Sequence, residues 1–285
     1  MRHGISLFTS DRGIRPARAA VAAEERGFST FYVPEHTHIP ARREAAHPAT
    51  GGAALPDDRY RRTLDPWVAL ATAAEVTTTI ELSTSVALPV ESDPITLAKT
   101  IASVDFLSGG RVSLGAGFGW NLDELADHGV DPRRRRAVLA DYLAAMRALW
   151  TQEVASYDGE FVRFDDCWAW PKPVTPIAVF VGAQAGPRTF AWIAQHADGW
   201  VSTPLDDDLP TRVAQLREAW AAAGRPGTPG IRAHSPTLDV LDGWREAGIE
   251  DVVWSLPDTD ESDVLRHLDR LARDLELAPP AQRNS

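Results

Sequence analysis

The chain of 285 residues is 44% hydrophobic and 24% charged, the proportions of a globular domain that can bury a core, at a length that fits one α/β barrel or two small domains. Its net charge of -11, from 29 basic and 40 acidic side chains, opposes non-specific binding to nucleic acid and anionic membranes while leaving room for a local basic pocket. The single cysteine, Cys167, excludes an intrachain disulfide, and no apolar run nears the ~20 residues that cross a bilayer.

The start, Met1-Arg2-His3-Gly4-Ile5-Ser6, has no apolar signal region, so the expected location is cytoplasmic. Short β-rich runs followed by amphipathic stretches then recur. The expected strands are 5–8, 30–34, 80–88, 111–115, 177–181, 199–203, 230–233 and 251–255. The expected helices are 15–25, 66–76, 94–107, 135–150, 187–197, 209–223, 240–247 and 261–275. Eight strands alternating with helices match a closed parallel (β/α)8 barrel. Asp65-Pro66 and Asp93-Pro94 each put an acceptor at the N-cap and proline at the first helical position. Ser108-Gly109-Gly110 is a glycine helix stop. Residues 1–277 are read as one domain and 278–285 as a disordered tail.

Two insertions interrupt the alternation. Residues 39–63, rich in Ala, Pro, Gly and Arg, follow the second strand and so fall on the C-terminal face, where barrel active sites form. They are expected to act as a mobile lid. Residues 153–174 contain Tyr157-Asp158-Gly159-Glu160-Phe161, which reads as a hairpin with an Asp-Gly turn.

Residues suited to chemistry gather at strand ends. Glu35 and His36, in Pro34-Glu35-His36-Thr37-His38, end the second strand; both titrate, and a histidine there can move a proton near neutral pH. The spacing of His36 and His38 lacks the partner set of a zinc site, so no metal is expected. Gly115, Gly117 and Gly119 follow the fourth strand directly and allow close backbone approach to a ring or phosphate. The long helix and later acidic residue of a dinucleotide fingerprint do not follow them. Gly182-Ala183-Gln184-Ala185-Gly186-Pro187-Arg188 is a small-residue turn into a helix whose free amides, with Arg188, suit an anion. Four arginines, Arg133 to Arg136, crowd another helix start, which the helix dipole disfavours unless an anion is near. Cys167 has no base near it in sequence, so it is not read as a nucleophile.

Taken in order, Phe31-Tyr32-Val33-Pro34-Glu35-His36, Leu64-Asp65-Pro66-Trp67, Asp105-Phe106-Leu107-Ser108-Gly109-Gly110-Arg111, Gly115-Ala116-Gly117-Phe118-Gly119-Trp120-Asn121, Trp170-Pro171-Lys172-Pro173 and Ala197-Asp198-Gly199-Trp200 resemble the luciferase-like monooxygenase superfamily, in particular its coenzyme F420-dependent branch. The resemblance implies a bacterial-luciferase-like barrel whose mouth binds a deazaflavin (F420) ring, with FMN as the alternative cofactor. It implies a non-proline cis peptide at Ser85-Val86 behind the ring and His36 near it. It further implies a pocket lined by Gly115, Ala116, Gly117 and Trp120, and a phosphate held by Gly182, Ala183, Gly186 and Arg188. The cofactor would carry the hydride and the protein would orient it.

The family's sugar-phosphate dehydrogenases carry an acidic residue shortly after the glycine loop, where this chain has Trp120. That departure points away from alcohol oxidation and towards hydride delivery to an electron-poor, C=C or C=N substrate. The leading expectation is thus an F420-dependent oxidoreductase acting on a small molecule. The alternatives are an FMN-dependent monooxygenase using O2 with a partner flavin reductase, and a non-catalytic flavin-binding protein. A homodimer is expected by family analogy.

Overall fold

Parallel strands cannot be joined by tight turns, so each must be followed by a crossover, and right-handed crossovers curl such a sheet towards closure. A computed structural model describes residues 1–279. Its elements in chain order are β1 (Arg2–Leu7), α1 (Pro16–Glu25), β2 (Thr30–Val33), α2 (Pro66–Val76), β3 (Glu81–Thr84), α3 (Pro94–Ser108), β4 (Val112–Gly117), α4 (Leu122–Asp127) and α5 (Arg135–Thr151). There follow β5 (Ala155–Asp158), β6 (Arg163–Cys167), β7 (Val179–Gly182), α6 (Pro187–His196), β8 (Gly199–Val201), α7 (Leu209–Ala222), β9 (Gly230–His234), α8 (Leu241–Glu246), β10 (Asp251–Leu256) and α9 (Glu261–Asp274). Eight strands close in the order β1-β10-β9-β8-β7-β4-β3-β2, the expected (β/α)8 barrel. Of the expected disordered tail, residues 280–285 lie outside the described residues.

Local signals act as their chemistry dictates. The Asp65 and Asp93 carboxylates each accept a backbone N–H at 2.8 Å, from Val68 and Thr96, and α3 stops at Gly109 with φ 71°. The hairpin forms as β5 paired antiparallel to β6, but its turn differs from the expected one. Asp158 pairs with Arg163 and Gly159 N donates to Val162 O at 2.9 Å, so the turn falls at Glu160-Phe161, while the Asp141 carboxylate of α5 accepts Phe161 N at 2.7 Å and Val162 N at 3.0 Å.

The barrel's lower interior is charged yet paired. Arg232, 2% exposed, bonds Ser83 Oγ at 2.9 Å, Ser113 Oγ at 3.0 Å and the Glu81 carboxylate, with its guanidinium 3.6 Å from the Phe180 ring centre. Burial alone would raise Glu81, but the Arg232 and Arg2 charges outweigh it and hold its pKa below the usual carboxylate range.

The third strand departs from expectation. Instead of continuing to residue 88, it leaves the ladder after Thr84; Ser85-Val86 is a cis peptide, and Ala87 returns as an isolated bridge to Ala116. The Val86 side chain occupies the space that side chains at positions 117 and 182 would fill. A Cβ on Gly117 would stand 2.6 Å from Val86 Cγ2, one on Gly182 would strike Val86 Cγ1, and one on Gly115 would strike the Thr84 carbonyl.

Gly117→Ala and Gly182→Ala are therefore expected to destabilise the fold by ~1–3 kcal/mol each, the usual cost of overpacking, read as a lower urea midpoint at unchanged slope. Wild-type midpoints for both would contradict this packing.

Candidate functional site

The carboxyl ends of β2, β3, β4, β7 and β9 converge at one face of the barrel, and the side chains there form two groups. The first surrounds His36, which is 9% exposed. Its Nδ1 lies 2.8 Å from Glu124 Oε2 of α4. A carboxylate only accepts, so Nδ1 carries the hydrogen and Nε2 presents its lone pair, which accepts the Trp120 indole N–H at 3.4 Å. Asn121 Nδ2 at 3.2 Å and Thr37 N at 3.0 Å also donate to Glu124. Burial works to raise Glu124, but these bonds, led by that from His36, hold it below the usual range.

The 39–63 insertion lies over this pair. Tyr60 places its ring centre 5.5 Å from His36, and His47 stands 5.0 Å from Tyr60 and 4.7 Å from Trp120. Thr63 Oγ1 donates to the His36 carbonyl at 3.0 Å and ties down the end of the insertion.

Glu35 is turned elsewhere. Its backbone N–H donates to Val86 O at 3.1 Å and its carboxylate accepts Leu88 N at 2.6 Å, so it braces the bulge after β3. Burial pushes its pKa up to about 7, against the Leu88 N–H, which lowers it. Ser85 Oγ lies 2.6 Å from Nε2 of His234 at the end of β9, and burial pushes that imidazole down to about 4, keeping it neutral. His38 faces Asp127 at 3.1 Å, away from His36, so the two histidines do not converge.

The second group is cationic. Gly182 ends β7 with Ala183 just after it, and α6 begins with Gly186 as an N-cap that offers no side-chain acceptor to the first amides. Arg136 of α5 reaches this helix start, bonding Thr189 Oγ1 at 3.2 Å and the Arg188 carbonyl at 3.4 Å, with its guanidinium 4.5 Å from the Phe118 ring centre. Burial and the neighbouring Arg135 and Arg188 charges hold the Arg136 pKa below the ordinary arginine value. A cluster of like charges beside free helix amides is a seat for an anion.

The structure thus gathers His36, Ser85, Val86, Gly117 and Trp120 at the mouth and Gly182, Ala183, Gly186 and Arg188 at the cationic edge. Ala116 is buried beneath, bridged to Ala87. Sequence reading overlooked Glu124, Glu91 and His234. Glu124 had a signal, since Asn121-x-x-Glu124 is the spacing of a helix start with an acidic third position. Glu91, in Pro89-Val90-Glu91, had none; it is buried, and neither carboxylate oxygen has a hydrogen-bond partner among the described residues. Burial, reinforced by the Glu124 and Glu35 carboxylates, drives its pKa upward.

The family model described as luciferase-like monooxygenase matches residues 11–238. The chain is 60% identical over 278 residues to an uncharacterised protein of Mycobacterium tuberculosis, covering 96% of this chain and 99% of that one. It is 30% identical over 230 residues to the F420-dependent hydroxymycolic acid dehydrogenase of the same organism, covering 79% of this chain and 58% of the dehydrogenase, less than two thirds of that relative. Monooxygenase RslO1 from Streptomyces bottropensis superposes with a TM-score of 0.74 at 19% identity, over 97% of this chain and 99% of that one, a likeness of fold.

A carboxyl whose folded pKa is raised stays protonated after its unfolded counterpart has ionised, so stability falls as pH climbs from the unfolded value towards the folded one. Glu35, at about 7, and Glu91, also raised, set this slope above their ordinary 4.5. Stability is expected to decline from about pH 5 to pH 8, and Glu91→Gln, neutral throughout, to show a shallower decline in denaturant titrations. Parallel profiles would contradict a protonated Glu91.

Proposed function

This chain belongs to the luciferase-like monooxygenase family, and on that premise we propose that it is a deazaflavin-dependent oxidoreductase, moving a hydride between bound F420 and a small organic substrate. The observation that carries this reading is the His36–Glu124 pair, held at 2.8 Å beside the Ser85-Val86 bulge. Hydride transfer to or from a polar bond requires a proton to move as well, and the pair is built to move one.

The residues present fit the cofactor. Ser85 and Val86 form the shelf for the ring, with Gly115 and Gly117 beneath Val86 and its neighbours. Gly182, Ala183, the α6 start, Arg188 and Arg136 take the phosphate; these two arginines, without a carboxylate partner among the described residues, suit a polyanionic tail. The bound deazaflavin supplies or accepts the hydride. His36 holds a proton at Nε2 in the reducing direction and releases it to the substrate. In the oxidising direction the same lone pair accepts a substrate proton, and Glu124 stabilises the imidazolium that results. Trp120 must withdraw its indole N–H from Nε2 to admit substrate, and Tyr60 and His47 exclude water around it. The 60% identical mycobacterial protein leaves the substrate open, and the F420 named in the dehydrogenase relative supports the cofactor.

Bleaching or recovery of the deazaflavin absorbance with a panel of electron-poor alkenes, imines and carbonyls, and with alcohols in the reverse direction, tests the reading. His36→Asn is expected to lower turnover by ~10²–10⁴-fold, the usual contribution of a general acid or base, while holding the cofactor as wild type does. Arg136→Ala is expected to weaken cofactor binding by roughly tenfold or more, the worth of one charge-assisted hydrogen bond. Full turnover in His36→Asn would refute the assigned role.

A further inference from the structure

The His36–Glu124 pair does not end at Glu124. The other carboxylate oxygen, Oε1, lies 3.5 Å from the Thr37 hydroxyl as well as 3.0 Å from the Thr37 amide. That hydroxyl is at the surface, between two imidazoles: 2.7 Å from Nε2 of His128 and 3.0 Å from Nδ1 of His38. The two rings stand 5.6 Å apart. Glu124 itself is fully buried, and the Thr37 hydroxyl leads from its carboxylate to the outside.

The outer end of this chain opens away from the mouth. His128 lines a cavity of about 450 Å³ with Glu91, Tyr142, Phe161 and Arg163, and the bulge residues Ser85 and Val86 are not among its walls. The mouth side of His36, by contrast, is covered by Tyr60 and Trp120. A proton taken up or released at Nε2 while that cover is closed faces aromatic rings on the mouth side.

We propose that Glu124, Thr37 and His128, with His38 beside them, form a proton relay connecting His36 to bulk water behind the closed mouth; the proposal rests on the acid–base role given to His36 above. Outward, a proton arriving at His36 Nε2 drives the Nδ1 proton onto Glu124 Oε2. The carboxyl group turns and hands a proton from Oε1 to the Thr37 oxygen, as the Thr37 hydroxyl proton passes to Nε2 of His128. His128 then releases its Nδ1 proton to water. One proton enters and one leaves and no electrons move; His36, left with its proton on Nε2, regains its starting tautomer once product has gone and the opened mouth admits water to Nε2, and His128 by exchange with water. Inward, the same hops run in reverse.

The groups facing His128 are consistent with a neutral acceptor. Burial and the His38 charge lower its pKa below the ordinary histidine value, while Glu124 and Asp127 pull the other way. Glu91 Oε2 lies 3.9 Å from its Nε2, and Asp127 holds the far nitrogen of His38 at 3.1 Å. A purely structural Thr37 would need only its backbone N–H on Glu124, which valine retains.

The test is nitrogen-15 histidine NMR of the cofactor-free protein, following exchange of the His36 Nδ1 proton with water. Thr37→Val is expected to slow that exchange by about tenfold, the effect of removing one hydrogen-bonded step to a charged group. Thr37→Ser, which keeps the hydroxyl, is expected to exchange as wild type, and the double variant His38→Gln, His128→Gln to be slowed like Thr37→Val. The downfield position of the His36 ring proton, set by Glu124, verifies that each variant keeps the pair. Wild-type exchange in Thr37→Val or in the double variant overturns the relay. Because no cofactor is present, a failure of the deazaflavin assignment would leave this result untouched, and a failed relay would leave cofactor binding intact.

Discussion

The seating of Val86 between Gly117 and Gly182 is the contact on which the site is built. It draws the chain out of β3 one residue after the ladder ends and fixes it across the mouth. Four other strand ends are then tied to that segment. β2 is joined through the Glu35 amide on Val86 O and the Glu35 carboxylate on Leu88 N. β4 and β7 approach closely because they carry no side chains there. β9 is joined through His234 on Ser85 Oγ. Backbone contacts of this kind are short-range and steric, so a single methyl group is enough to disturb them.

Charge is distributed in the barrel by the same logic of pairing and burial. Near the lower end, Arg232 meets Glu81 through one terminal nitrogen and two serine hydroxyls through the other, with the Asp251 carboxylate 3.9 Å from its Nε. Near the mouth, three carboxyls, Glu35, Glu91 and Glu124, lie close enough to influence one another. Glu124 hydrogen-bonds a histidine at 2.8 Å, and it is the one held below the usual range. The other two are raised. That asymmetry separates one anion, able to polarise His36, from two acids that can stay neutral, the division of labour expected where proton transfer is handled.

Much of the framework was legible because it is written locally. The caps at Asp65 and Asp93, the stop at Gly109 and the alternation of apolar runs each act within a few residues, and the structure places them where those signals lie. What was not legible depends on contacts far apart in the chain. Glu124 meets His36 across 88 positions, and the termination of β3 depends on glycines in β4 and β7. Gly115 and Gly117 were expected to let a ring or phosphate approach the backbone and Gly182 to turn the chain towards an anion; in the structure the nearest neighbour of all three is the Thr84–Val86 segment of the same chain. The hairpin turn failed for the same reason: Asp141, outside the hairpin, takes the loop amides that an Asp-Gly turn would have satisfied itself.

The central claim is that the shelf at Ser85-Val86 and the cations at Arg136 and Arg188 form one seat for a deazaflavin. A fluorescence titration of the purified protein with oxidised and reduced F420, and with FMN in parallel, tests it most directly. The account predicts saturable binding of F420 at micromolar or lower concentration, with FMN much weaker. Preference for FMN, or binding of neither, would contradict it.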